Sequence, residues 1–211
     1  MENKTIKGNQ VITGDLYIGG SIQKVDDIKA SKISPEVFII PEGTPVNAVA
    51  SVGKITSDAT APSDTDTVTI DTKVYTFKTA LTPVEGEVLI GISAATALDN
   101  LAAAINHTGT AGTDYSCAAV HPTVVATTNT DTTQLIAAKV KGVAGDLIAL
   151  KESSDHLAVD ADKLGAQVAG VDGTVGAANE TYADASYIYH AISANTIADT
   201  NWRRVELGSA Y

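Results

Sequence analysis

The chain has 211 residues, of which 44% are hydrophobic and only 5% aromatic, and a formal net charge of −11. That length supports one sizeable core, or one core with small appendages, and so acidic a surface repels phosphates, so no nucleic-acid partner is expected. No run of about 18 apolar residues offers a membrane span, MENKTIKGNQ lacks the apolar stretch of a secretion signal, and a single cysteine, Cys117, cannot close an intrachain disulfide.

Residues 1–42 read as an N-terminal arm and extended linker. Val11, Ile12, Leu16, Tyr17 and Ile18 stand between glycines and are too few to close a core. The arm is either a solvated tail or a segment that orders against a partner subunit, and its recurring apolar residues favour the second. Val37–Ile40 is bracketed by Pro35 and Pro41, which suits an edge strand or a linker, because proline offers no ladder N–H.

A β-rich core domain is expected over residues 43–176, beginning with a strand in Val46–Ile55 and a polar loop at Asp58–Asp66. Thr67–Thr79 alternates apolar and polar residues on both sides of Asp71-Thr72-Lys73, the pattern of a half-buried hairpin. A connection near Pro83–Gly91 follows. The period then changes: Leu98, Leu101 and Ile105 form one apolar stripe of a helix near 93–106 that covers the sheet. Ser93 suits its N-cap, and Asn106-His107-Thr108-Gly109 its stop. Tyr115–Val120, Val124–Thr128 and Gln134–Val140 are further strands, the last two turning at Asn129–Asp131. Leu147–Leu150 either pairs as a strand or opens a helix, and residues 151–176 read as loops with one or two edge strands, ending in a linker. Residues 177–211 form a C-terminal β-hairpin module of Tyr187–Ile192 and Trp202–Leu207. An isolated hairpin is marginal in water, so this one must dock on the main domain or on a neighbouring copy. The fold class is therefore mainly β with one short covering helix (β-rich α+β), an N-terminal extended arm and a C-terminal aromatic hairpin.

Catalytic and metal chemistry find little support. His107, His121, His156 and His190 are scattered without metal-ligand spacing, and the consecutive Ser154, Asp155 and His156 cannot form a triad by themselves. The aspartates at 58, 64, 66 and 71 do not match a calcium loop. No catalytic residue, metal or cofactor is expected, and Cys117 reads as a small buried apolar residue. Tyr187, Tyr189 and Trp202, with Arg203 beside them, are candidates for surface recognition, for instance by stacking on a glycan.

Several stretches carry a resemblance: Gly43–Ala50; Asp66–Ile70 followed by Lys73–Phe77; Glu87–Gly91 with Leu98–Asn106; and Gly142–Leu150, which is similar to a G-x-x-G-N-x-I-x-L element with Asp146 in place of Asn. Together these resemble a β-rich domain of tailed-bacteriophage virion proteins. Gly170–Gly176 with Tyr187–Tyr189 and Asn195–Leu207 resembles a C-terminal module of head-decoration, head-fibre and tail-associated proteins. The resemblance spans residues 43–207 and implies a structural, non-enzymatic protein of the virion, made in the host cytoplasm. Its first expectation is a capsid decoration (cement) protein that binds the outer head surface and stabilises capsomer contacts, with the major capsid protein or other virion proteins as partners, in a homo-oligomer expected to be a trimer. Two alternatives stand beside it: a tail or fibre component anchored by the arm, and a carbohydrate-binding surface module.

Overall fold

In a computed structural model the residues described are 40–208, so the arm candidates Val11, Ile12, Leu16, Tyr17 and Ile18, and Val37–Ile39, lie outside the described residues. The hairpin follows the alternation. β2 (Thr67–Ile70) and β3 (Lys73–Lys78) pair antiparallel with Ile70 opposite Lys73. Asp71, in the turn, has φ 56°, the left-handed conformation that tight hairpin turns require and Asp tolerates. Val68, Ile70, Tyr75 and Phe77 point inward and are fully buried, while the alternate residues, such as Val74, face outward.

At Ser93 the period becomes helical. α1 (Ala94–Asn106) is N-capped by Ser93, whose Oγ accepts the Thr96 N–H at 3.2 Å, and it stops at His107, which adopts φ 52° and donates its N–H to Ala103 O. Leu98, Leu101 and Ile105 are fully buried, each worth ~1.5–3 kcal/mol of transfer free energy. Two amide side chains fix the helix. Asn100 donates to Leu89 O at 2.8 Å, and Asn106 exchanges two hydrogen bonds of 2.9 Å with the backbone of Ala126. The helix is thereby tied to both main sheets.

The first sheet has the order β6-β7-β1-β9, built from β1 (Val52–Ser57), β6 (Val124–Thr130), β7 (Thr133–Ala138) and β9 (Leu157–Val159), with all neighbours antiparallel. The second has the order β5-β4-β3-β2-β8, adding β4 (Glu87–Leu89), β5 (Tyr115–Ser116) and β8 (Leu150–Glu152). One apolar cluster joins Ile55 and Ile136 of the first sheet, Val68, Phe77 and Val88 of the second, and the helix stripe. Burial pushes the Cys117 thiol up and leaves it a core residue.

Several boundaries differ from the sequence reading. β1 starts at Val52, because before it Ala48 bonds to Asp199 and Val49 to Val171 and Gly142, outside the regular ladder. The connection after β3 contains β4, which runs parallel to β3, an arrangement for which alternation gives no cue. Glu87 lies opposite Thr76, so the chain needs to step back only a short way to pair. The β6–β7 turn falls at Asp131-Thr132, since Thr130 pairs with Thr133. Residues Val143–Leu147 form a 3-10 turn before β8. The edge strands anticipated in 151–176 are present as β8 and β9, each at the rim of its sheet.

At the C-terminal end, β11 (Tyr187–Ala191) and β12 (Trp202–Glu206) form the anticipated hairpin, joined by a third strand, β10 (Thr181–Ala183). The outer edge of β10 is filled by residues 41–43: Gly43 N–H donates to Ala183 O at 2.9 Å, and Ala183 N–H to Pro41 O at 3.0 Å. The hairpin therefore docks on its own chain.

Candidate functional site

Strand alternation sorts the C-terminal sheet. The register pairs Tyr182 with Tyr189, Tyr189 with Arg204, Tyr187 with Glu206 and Ala191 with Trp202, which puts these residues on one face. Ile188, His190 and Val205 fall on the other. The first face packs against residues 43–47 and 174–176 and holds its own small cluster. Trp202 is 3% exposed and Tyr189 5%. The Trp202 indole N–H donates to Thr174 O at 2.8 Å, and Tyr182 meets its ring edge-on with 5.5 Å between centroids. Gly176 lies so close to this ring that a Cβ there would overlap it. Neither Trp202 nor Tyr189 presents a free face for a sugar to stack on, so the structure gives these aromatics to packing. Tyr187 is half-buried and carries the Arg204 guanidinium over its ring, 4.4 Å from the centroid. Arg203 curls along the strand edge, its Nη1 donating to Thr200 O and Trp202 O at 2.9 and 3.2 Å.

Carboxylates bind this layer together. Asp184 accepts the backbone N–H groups of Ser186 and Tyr187 on one oxygen, at 2.7 and 2.8 Å, and the Tyr189 and Thr44 hydroxyls on the other, at 2.7 and 3.2 Å. The Tyr189 hydroxyl, first among these donors, holds the Asp184 carboxyl below the usual range, and the same bond pushes the Tyr189 phenol up. Tyr182 and Glu180 repeat the arrangement with a bond of 2.6 Å, lowering Glu180 and raising Tyr182. These acids act as acceptors that fix tyrosines in place. Between residues 44–47 and β12 the surface opens into a cleft of about 590 Å³, where Asn47, Trp202 and Arg204 meet.

A second lock joins the 3-10 turn at 143–147 to Ser51 and to residues 170–172. The Asp146 carboxylate, in the 3-10 turn, accepts the Ser51 hydroxyl at 2.6 Å and the Gly170 N–H at 2.8 Å, and the Ser51 bond leads in lowering its pKa. Asp172 accepts the Val143 N–H at 2.9 Å. A Cβ at Gly170 would overlap the carbonyl oxygen of Gly142 and the Ser51 hydroxyl, so only glycine allows the two loops to meet. The Gly142–Leu150 motif thus serves as a backbone clasp.

The scattered histidines stay apart. His121 is fully buried, with Nε2 3.1 Å from Ile70 O and Nδ1 facing the N–H groups of Thr123 and Val124 at 3.2 and 3.3 Å. His156 Nδ1 meets Asp58 Oδ2 at 3.1 Å, and this contact is the chief cause of a lowered Asp58 pKa. Ser154 is buried, and its Oγ accepts the His156 backbone N–H, so Ser154, Asp155 and His156 form a loop contact and no relay. Among the described residues no group of three or more His, Cys, Asp or Glu side chains could hold a metal ion.

Sequence reasoning brought Tyr187, Tyr189, Trp202 and Arg203 to one place and marked Asp146 within its motif without a role, but missed Asn47, Thr174 and Asp184. Of these three, Asp184 carried a readable cue, as an acid two and three residues before the N–H groups it accepts, in an Asx turn. Compared with known protein families, curated proteins and solved structures, the chain matches none.

Proposed function

We propose that this protein is a structural component of a tailed-phage virion, and first a decoration protein that attaches to the outer surface of the head. The resemblance of residues 43–207 to virion proteins motivates the reading. The observation that carries it is an exposed apolar flank on an otherwise acidic chain. Val143, Leu147, Val168, Val171, Val175 and Ile197 are all exposed, Leu147 by 71% and Val175 by 63%. Hydrogen bonds gather most of them along the seam beside β1: Val168 and Val171 bridge to Val52 and Val49, Val143 bonds to Asp172, and Gly173 bonds to Ile197. Exposed apolar side chains gathered along one seam suit an interaction surface. Spread over many copies, modest burial at each contact sums into a firmly held layer. Tail or fibre attachment would use the same flank and remains the second reading. The glycan module is disfavoured by the burial of Tyr189 and Trp202.

The test is binding to undecorated capsids by the full chain, by a version beginning at Pro35, and by Val171→Asp with Leu147→Asp. Saturable binding by the full chain that the two aspartates abolish supports decoration through the flank, and loss on removing residues 1–34 adds the arm. Failure of the full chain to bind capsids, with recovery of the protein in isolated tails, would replace decoration with the tail reading.

A further inference from the structure

We propose that the free edge of the C-terminal sheet pairs with the same edge of a second copy of this chain, in one register centred on Val205. Ile192 N–H donates to Asn201 O, and Leu207 N–H to Ser186 O. With the β11–β12 register, these bonds place Asn201, Arg203, Val205 and Leu207 as the residues that bond inward to β11. In an antiparallel ladder the residues between them must turn N–H and C=O the other way. Those residues are Trp202, Arg204 and Glu206. Trp202 is already satisfied: its N–H donates to Asn47 Oδ1 at 3.1 Å and its carbonyl accepts Asn47 Nδ2 at 3.2 Å. Asn47 therefore acts as a one-residue mimic of a neighbouring strand and closes the edge at that point. Arg204 and Glu206 keep an outward backbone N–H and C=O with no partner among the described residues. The opposite edge of the sheet, at β10, is filled by residues 41–43.

An open edge is a template for another strand. Three features of this one select a second copy. The first is hydrogen-bond parity. A two-fold axis through Val205 sets Arg204 opposite the Glu206 of the other copy and Glu206 opposite its Arg204. All four residues have outward-facing backbone groups, so both pairs become hydrogen-bonded pairs, with four interchain bonds. The second is charge. The same register places an arginine opposite a glutamate twice, whereas centring on Arg204 or Glu206 sets like charges opposite each other, which is unfavourable. Centring on Arg203 is blocked, because it needs the Trp202 edge that Asn47 occupies. The third is the outer face. Val205 is 69% exposed and pairs with Ile188 on β11. Across the axis Ile188, Val205, Val205 and Ile188 would form one continuous apolar stripe over a six-stranded sheet. Four main-chain bonds and this stripe make a small interface, which predicts a concentration-dependent dimer. This goes beyond the virion reading, holds whatever the apolar flank attaches to, and sets a two-fold pair against the trimer expected with the resemblance.

The experiment uses the full chain. Directly opposed residues of a non-hydrogen-bonded antiparallel pair lie close enough for a disulfide, so Val205→Cys under mild oxidation should give a covalent dimer. Arg203→Cys, which faces Leu207 of the other copy in this register, should not, and wild type should stay uncross-linked because Cys117 is buried. In sedimentation equilibrium, Arg204→Glu and Glu206→Arg should each weaken dimerisation by about tenfold, and the double reversal should restore it. Rescue by the double variant separates pairing from misfolding. Monomer at every concentration without cross-linking of Val205→Cys, equal cross-linking at 203 and 205, or a threefold assembly indifferent to the reversals would each overturn the proposal.

Discussion

His121 should make this protein measurably less stable on mild acidification, well above the pH at which its carboxylates titrate. The imidazole is fully buried. It sits between one acceptor, Ile70 O, and two donors, the N–H groups of Thr123 and Val124, which together fix a neutral ring with its proton on Nε2. Burial is the largest cause of a pKa lowered from 6.5, and a second proton on Nδ1 would also face two N–H groups. In the unfolded chain the same imidazole takes its proton near the ordinary value. Below that value the unfolded state binds more protons than the folded one, so stability falls as pH falls, and the loss ends once the folded ring itself protonates. The loss on lowering the pH from about 7.5 to about 5.5 is bounded at ~1.4 kcal/mol, one decade in the folding equilibrium, the limit for a ring that takes no proton in that window. The carboxylates lowered by their partners, such as Asp146 and Asp184, act with the same sign but only near and below about pH 4. The two effects therefore separate along the pH axis. The assay is urea unfolding of residues 35–211 and of the full chain at both pH values, beside His121→Asn, which keeps an acceptor near the Nδ1 position. The wild-type loss should vanish in the variant, although the variant starts less stable. A pH-independent wild type, or an equal loss in His121→Asn, would refute the assignment of a buried neutral ring.

Three further outcomes follow from local geometry. The Tyr75 hydroxyl is buried without a hydrogen-bond partner among the described residues, so Tyr75→Phe should raise stability by about 1 kcal/mol by removing an orphaned polar group; a lower melting temperature would mean that the hydroxyl has a partner. Gly170→Ala forces a Cβ into the Gly142 carbonyl and should cost roughly 3 kcal/mol or more, whereas a variant with wild-type stability would show that the clasp with Asp146 yields easily. Asn47→Ala removes both bonds to the Trp202 backbone and should cost ~1–3 kcal/mol, with faster amide exchange concentrated in β12; uniform or unchanged exchange would deny Asn47 its role as a strand mimic.

What was legible in the sequence is what depends on local periodicity. Val68, Ile70, Tyr75 and Phe77 alternate because one side of a hairpin faces the core. Leu98, Leu101 and Ile105 repeat at helical spacing because one side of α1 does. Ser93 and His107 mark the helix ends through hydrogen bonds that span a few residues. β4 escaped because a three-residue strand carries too few positions to show a period, and its pairing with β3 is decided by Phe77 and Val88 meeting in the core. β10 escaped for the same reason, with Thr181–Ala183 half-buried throughout. The site was half legible. Clustered Tyr and Trp marked the C-terminal sheet, but whether their rings face solvent depends on residues 43–47 and 174–176, far away in sequence. Asn47 gave no cue, because its role is defined by a backbone 155 residues away.

The run from Pro41 to Ser57 explains why the surfaces of interest cluster where they do. Residues 41–43 extend the C-terminal sheet, Asn47 caps β12, Ala48 N–H reaches Asp199 O, Val49 and Val52 bridge to Val171 and Val168, and residues 52–57 then become β1 in the main sheet. One continuous segment therefore couples the large core, where Ile55 is fully buried, to a small aromatic cluster with few apolar residues of its own. The aromatic layer has a small apolar cluster of its own and is held largely by hydrogen bonds to residues 41–48 and 173–176, so it should open at lower free energy than the main sheets with their larger core. Both proposed contacts lie along that segment: the apolar flank where residues 165–176 run beside it, and the free β12 edge just past Asn47. A partner that orders either surface would stabilise the weakest part of the fold. Its binding should therefore appear first as slowed exchange in β10 to β12, while the amides of α1 and β7 remain unchanged.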